Sequence, residues 1–450
     1  MLKKFIGSRE FYLTTIMIAF PIMAQQFVTS FVNLIDNLMI GSVGTVALSA
    51  VTVANKLYSI YNSALFGLCG AAGIFIAQYF GAKEPGKCQK VLNINLTINI
   101  IIACLFTFLV SLAPEFFVNF FSSDEIVIAE SLKYLKYAVI SYIPFSMSIA
   151  IMMGLRAIGV NKIQLIVGFV TVFCNTSLNY ILIFGHFGAP ALGVEGAAIA
   201  TTVARIVEMI IYLMLLIKQK YLFHISLYEL LHLDRSLISN MLTKALPLTL
   251  NEIFYALGLT MVFVAYVRCD ESLIASVSVV DTVMQIAYII FSGLASAVSI
   301  LIGKRLGANE MNIAKDNSRY LITFGMMVGA CIGMIFFTIA PFIANLYNVE
   351  PVIKEAIVGL IRIRACMLPI YVFNVTIFFI LRAGGDTLST LIMDSGLLWG
   401  MNVTIATLLS MFVPIPLVML SLVVESTDFI KMIISFSFYR RGKWARNITV

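Results

Sequence analysis

Carboxylates are the first residues to account for in a chain this apolar. Residues 10–40 carry two charged side chains, Glu10 and Asp36, and Asp36 stands in the stretch NLIDNLMIG. A lone ionised group inside a bilayer costs at least ~2.5–3.5 kcal/mol. A carboxylate in such a place can take up a proton or a small cation on one side of a membrane and release it on the other, which is the chemistry of a coupling site. Asp36 needs partners for that task. Asn175 and Asn179 are four apart, so both amides face one side of a helix. Thr201, with the Ala197 carbonyl one turn before it, can complete a set of hard oxygen ligands suited to an alkali cation. Interhelical adhesion is the alternative role of these two amides.

Other charges fall inside apolar runs. Glu252 lies in LPLTLNEIFY and reads as a functional acid or as a neutral, hydrogen-bonded structural one; Asp281 lies deep in its run and is open between function and structure. Asp394 reads as a gate or as a helix-end acid. Glu425, Asp428 and Lys431 are spaced for pairing within one helix. Lys56 sits about 7 Å deeper than Asp36 by helix rise. It either pairs with Asp36 or reaches the membrane rim, and the sequence leaves both open.

The elements that position these groups follow from composition. Of 450 residues 60% are hydrophobic and 12% charged, with a mean hydropathy of +0.98. Soluble domains carry about 25% charged residues. The chain reads as an all-α integral membrane protein. A bilayer core of ~30 Å needs about 20 apolar residues per helix. Twelve spans result: 11–38, 46–80, 91–113, 131–156, 163–185, 192–218, 240–266, 273–303, 319–346, 353–382, 387–412 and 414–438. One set of connections is basic, holding Lys83, Lys87, Lys90, Arg156, Lys162, Lys218, Lys220, Lys304, Arg305 and Arg382. Both ends are basic too, with Lys3, Lys4, Arg440 and Arg441. The positive-inside rule then places both termini in the cytoplasm.

A polar connection at 221–240 separates an N-lobe, 1–220, from a C-lobe, 241–450. The lobes repeat each other. Pro21 in FPIMAQQ matches Pro247 in LPLTLNE, YFGAKE at 79–84 matches RLGANE at 305–310, and GLRAIG at 154–159 matches ILRAGG at 380–385. One ungapped offset serves all three. It covers six spans, so the halves share one orientation, an arrangement typical of secondary transporters. Pro21 and Pro247 interrupt spans one and seven at matching points and are candidate hinges. The repeat pairs Glu252 with Gln26, so one lobe alone is ionisable there.

Several ordered stretches resemble the multidrug and toxic compound extrusion family: PIMAQQFVTSFVNLIDNLMIGSVGTVALSAVTVANKLY, FIAQYFGAKE, LRAIG with LRAGGD, NTSLNYILIFG, GVEGAAIATTVAR and GKWARNIT. The resemblance covers essentially the whole chain. It implies two six-helix lobes around a central cavity, and export of organic cations and drugs by alternating access, driven by inward Na⁺ or H⁺. It also implies an N-lobe cation site at Asp36, with two span-five polar residues and a threonine, and a functional glutamate at Glu252. Some members carry an acid in span ten; this chain has Tyr371 and Asn374 there instead, so that C-lobe site is expected to be altered.

The expected partners are therefore small amphipathic cations and the lipid of a plasma membrane, with the transported ion as the only cofactor-like species and a monomer as the working form. Nucleic acid is not expected, because no basic run is interleaved with aromatic contacts. A membrane-embedded enzyme would need a metal or nucleophile constellation, and no HExxH or GxSxG occurs. A lipid-linked saccharide flippase remains the nearer alternative; its basic cavity contrasts with intramembrane charges that read here as mainly acidic.

Overall fold

In a computed structural model, residues 5–218, 223 and 233–449 are described. Lys3, Lys4, Lys220, the side chain of Lys218 and most of the 221–240 connection lie outside them. Among the described residues there are helices and no strands. The long helices are α1 (Arg9–Val43), α2 (Thr45–Gly81), α3 (Pro85–Leu112), α4 (Glu125–Ala157), α5 (Lys162–Phe184), α6 (Val194–Lys218), α7 (Arg235–Cys269), α8 (Ile274–Gly307), α9 (Met311–Asn345), α10 (Pro351–Ala383), α11 (Thr387–Phe412) and α12 (Leu417–Arg440). Eleven are long and apolar enough to cross a membrane. The remaining one, α12, has 24 residues and carries Glu425, Asp428 and Lys431. Twelve helices in two sets of six is the expected architecture.

Local chemistry sets the ends. Asp124 caps α4 by accepting from the backbone nitrogens of Ile126 (2.9 Å) and Val127 (3.3 Å). Asp234 caps α7 in the same way through Ser236 N (3.0 Å) and Leu237 N (3.3 Å). The Ser236 hydroxyl bond, with these amides, holds the Asp234 carboxyl below its usual range. Pro85 and Pro351 open α3 and α10, where a missing N–H costs nothing.

The repeat is written into the backbone. Lys83 and Asn309 both adopt the left-handed conformation, with φ of 60° and 61°, and Gly159 and Gly385 do so at 88° and 72°. Each pair sits at the offset seen in the sequence. Asn tolerates this region better than Lys, because its short polar side chain can hydrogen-bond to the nearby backbone.

The chain divides into two compact units that do not follow the sequence halves. One comprises Ala24–Thr249 and the other Met1–Met23 with Leu250–Val450. The expected division inside 221–240 is thus displaced, because each unit takes the first part of the other half's opening helix. The divisions fall two residues beyond Pro21 and two beyond Pro247, inside the continuous helices α1 and α7.

In the unit Ala24–Thr249, α2 packs on α3 and α4, and α5 on α6. In the other unit α10 lies against α8, α9 and α12, around a core that includes Val280, Met284, Ile357, Ile361 and Leu420. Trp444 of the C-terminal tail is buried beneath that unit's end, and Arg446 donates to the carbonyls of Gly384 (3.4 Å) and Gly385 (3.3 Å).

Candidate functional site

The unit Ala24–Thr249 contains a cavity of about 580 Å³. Asp36, Asn175, Asn179, Ala197 and Thr201 all line it, as does Gln26. The spacing argument is realised: α5 turns Asn175 and Asn179 toward α1. Asn179 Nδ2 donates to Asp36 Oδ1 at 2.7 Å. With the Asn175 amide turned so that its NH₂ faces the acid, it lies 3.1 Å from Oδ1 and 2.9 Å from Oδ2. A carboxylate can only accept, so this orientation satisfies both partners. The other end of that amide is 3.4 Å from Thr201 Oγ1, which can donate to it.

Asn179 is 1% exposed and its Oδ1 has no hydrogen-bond partner among the described residues. A buried acceptor without a donor, beside a carboxylate, suits a bare cation better than it suits another amide. Lys56 does not complete the set. It is exposed and forms no ion pair among the described residues, while Asp36 is held from α5.

Sequence reasoning missed other groups on this cavity. Arg205 and Glu208 line it from α6 and pair at 2.8 Å, and the Arg205 guanidinium stacks over Phe145 at 4.7 Å. Arg156, read as a connection charge, also lines the cavity; its Nε donates to Gln164 Oε1 (3.1 Å) and its Nη2 to Gln25 Oε1 (3.2 Å). The charged lining is therefore Asp36 and Glu208 against Arg156 and Arg205. The expectation of mainly acidic intramembrane charge is corrected on this point. The signal was available in Arg205 and Glu208, which stand three apart in an apolar run.

In the other unit the predicted acids are engaged by bases. Glu252 Oε1 is 3.5 Å from Arg382 Nη1. Asp281 pairs with Arg364, and the same guanidinium reaches Glu425 Oε1 at 3.2 Å through Nε. The Asp281 side chain is 52% exposed. Tyr371 packs against Tyr288 with ring centroids 5.1 Å apart. Asn374 is 2% exposed and donates to the Asp428 carbonyl at 3.2 Å.

Two further expectations are corrected here. Lys431 pairs across helices with Asp394 Oδ1 at 2.7 Å, and Glu425 with Arg364, instead of the pairing within α12 that their spacing suggested. Asp394 lies in a π-helical stretch of α11, Ile392–Gly396, and also accepts from Asn251 Nδ2 at 3.2 Å. The wider turn rotates its side chain toward α7 and α12.

Comparison with known proteins now decides the family. A family model described as MatE matches residues 21–181 and again 247–408. The chain belongs to this family. The two matches begin at Pro21 and Pro247 and each runs into the fifth helix of its half, so the family unit recurs at the offset of the internal repeat. The family is one of multidrug efflux transporters. Among similar proteins, the uncharacterized transporter YisQ of Bacillus subtilis is 21% identical, over 95% of this chain and 94% of its own. The probable multidrug resistance protein YoeA of the same organism is 24% identical, over 87% and 85%. An outward-facing multidrug resistance MATE family transporter superposes with a TM-score of 0.86 over 96% of each chain at 18% identity, a likeness of fold.

Proposed function

We propose that this MatE protein is a secondary exporter of amphipathic organic cations and drugs, working by alternating access and driven by inward Na⁺ or H⁺ at Asp36. One observation carries the reading: a carboxylate, two asparagine amides and a threonine hydroxyl converge on one side of a membrane-embedded cavity. Such a set holds a small cation through oxygen, or a proton on the acid, and either occupant removes the charge that makes the empty site costly. The Pro21 and Pro247 regions, where the compact units divide, are the proposed hinges. Both termini are proposed to lie in the cytoplasm of a plasma-membrane protein, and the monomer is proposed as the working form.

The test is efflux of a fluorescent organic cation from proteoliposomes under Na⁺ and H⁺ gradients imposed separately. Asp36→Asn is expected to lower gradient-driven efflux at least about tenfold, the factor corresponding to 1.4 kcal/mol. Full driven transport by the variant removes Asp36 from coupling. Transport that responds to neither gradient moves the reading to a lipid-linked saccharide flippase.

A further inference from the structure

We infer that the cavity of the unit Ala24–Thr249 contains a subsite for an anionic group at Arg156, so that the favoured cargo is a zwitterionic amphiphile carrying a carboxylate or similar anion. The inference rests on the exporter reading for its cavity and refines the class of molecule that enters it.

Three observations carry it. Of the two arginines on the cavity, Arg205 is neutralised by Glu208 at 2.8 Å. Arg156 meets only neutral oxygens, those of Gln25 and Gln164, and no carboxylate pairs with it among the described residues. No hydrogen bond of its Nη1 is seen among the described residues, and the residue lines the cavity. The internal repeat supplies the contrast. The counterpart of Arg156 is Arg382, which is paired with Glu252 at 3.5 Å, and the repeat puts Gln26 where Glu252 stands. One half of the molecule thus pairs its arginine with an acid, and the other half leaves the same arginine on the cavity wall with amide partners, the cavity's own acids being engaged elsewhere, Glu208 by Arg205 and Asp36 by Asn179.

A guanidinium in a poorly solvated wall gains most from an anion that takes two of its N–H groups at once. Gln25 and Gln164 hold the guanidinium plane in place without cancelling its charge. The subsite is separate from the coupling acid. Gln25 and Asp36 are eleven residues apart on α1, about 16 Å by helix rise. A cargo anion at Arg156 and a coupling ion at Asp36 can be bound together.

The experiment measures binding of two dyes to the purified full chain in nanodiscs by fluorescence anisotropy. Rhodamine B carries a free carboxylate beside its cationic xanthene; rhodamine B ethyl ester is the same cation without the anion. Wild type is expected to bind the zwitterion about tenfold or more tightly than the ester, the range of a charge-assisted bond. Arg156→Gln is expected to bring the ratio of the two affinities to about one, and Arg156→Lys to retain part of it. Gln25→Glu keeps the arginine and the side-chain shape but supplies an internal carboxylate at the same atom, and it too is expected to erase the preference.

Equal binding of both dyes by wild type, or an unchanged ratio in Gln25→Glu, overturns the subsite and leaves export of cations standing. Binding of neither dye overturns the subsite and the amphiphile-export reading together.

Discussion

At the scale of single residues, two kinds of intramembrane charge separate by their partners. Asp36 is held by amides, which leave its charge for an exchangeable ion. Asp281, Glu425, Asp394 and Glu252 are paired with Arg364, Lys431 and Arg382, which offset their charge within the protein. Arg364 serves two acids at once, and its side chain is 13% exposed. Arg364→Leu is therefore expected to destabilise the protein by about 1–3 kcal/mol, chiefly by leaving the partly buried Glu425 without its charged partner. A thermal unfolding scan in detergent, with Arg364→Lys recovering part of the loss, checks it; an unchanged midpoint removes the pairing from the stability of the fold. The amide site was legible because a four-residue spacing fixes a common face and an acid stands out against apolar neighbours. The paired acids were not. Lys431 and Asp394 are 37 residues apart on different helices, and only the rotation of α11 about its axis brings them together. A single sequence carries no signal for that rotation, so the local spacing to Asp428 competed successfully with the pair that forms.

Among the elements, close approach at two glycines governs how the exchanged half-helices are held. A Cβ on Gly67 of α2 would lie 2.6 Å from the backbone nitrogen of Thr249 in α7. A Cβ on Gly293 of α8 would lie 2.9 Å from the carbonyl oxygen of Ala19 in α1. The two glycines are repeat mates, and each receives the opening segment of the other half's first helix. Gly67→Leu and Gly293→Leu are each expected to cost about 1–3 kcal/mol or more through overpacking. The check is the yield of monodisperse protein and its unfolding midpoint, with Gly73→Ala as the control at a position where nothing lies within 4 Å. Native midpoints in both leucine variants would mean that these crossings are not tightly packed. The existence, length and order of the helices were readable from hydropathy, and so was the repeat. The exchange of half-helices was not, because hydropathy reports that a segment is covered by something apolar and is silent on which neighbour covers it.

For the molecule as a whole, the division after Met23 and Thr249 means that neither sequence half contains all of one compact unit. Residues 5–23 pack with the unit that begins at Leu250, and the opening of α7 packs with Ala24–Thr249. Expressed alone, 1–218 or 233–450 is expected to be degraded or to aggregate, since each exposes the glycine crossing that its missing partner covers. Expressed together from separate genes, the two are expected to recover a stable complex that co-purifies, and stable accumulation of either fragment by itself would count against the exchange. The same crossing bears on ancestry. If the two six-helix halves descend from one duplicated gene, a single half of this design would leave its glycine crossing uncovered, and pairing with a second copy that lends its leading helix would cover it.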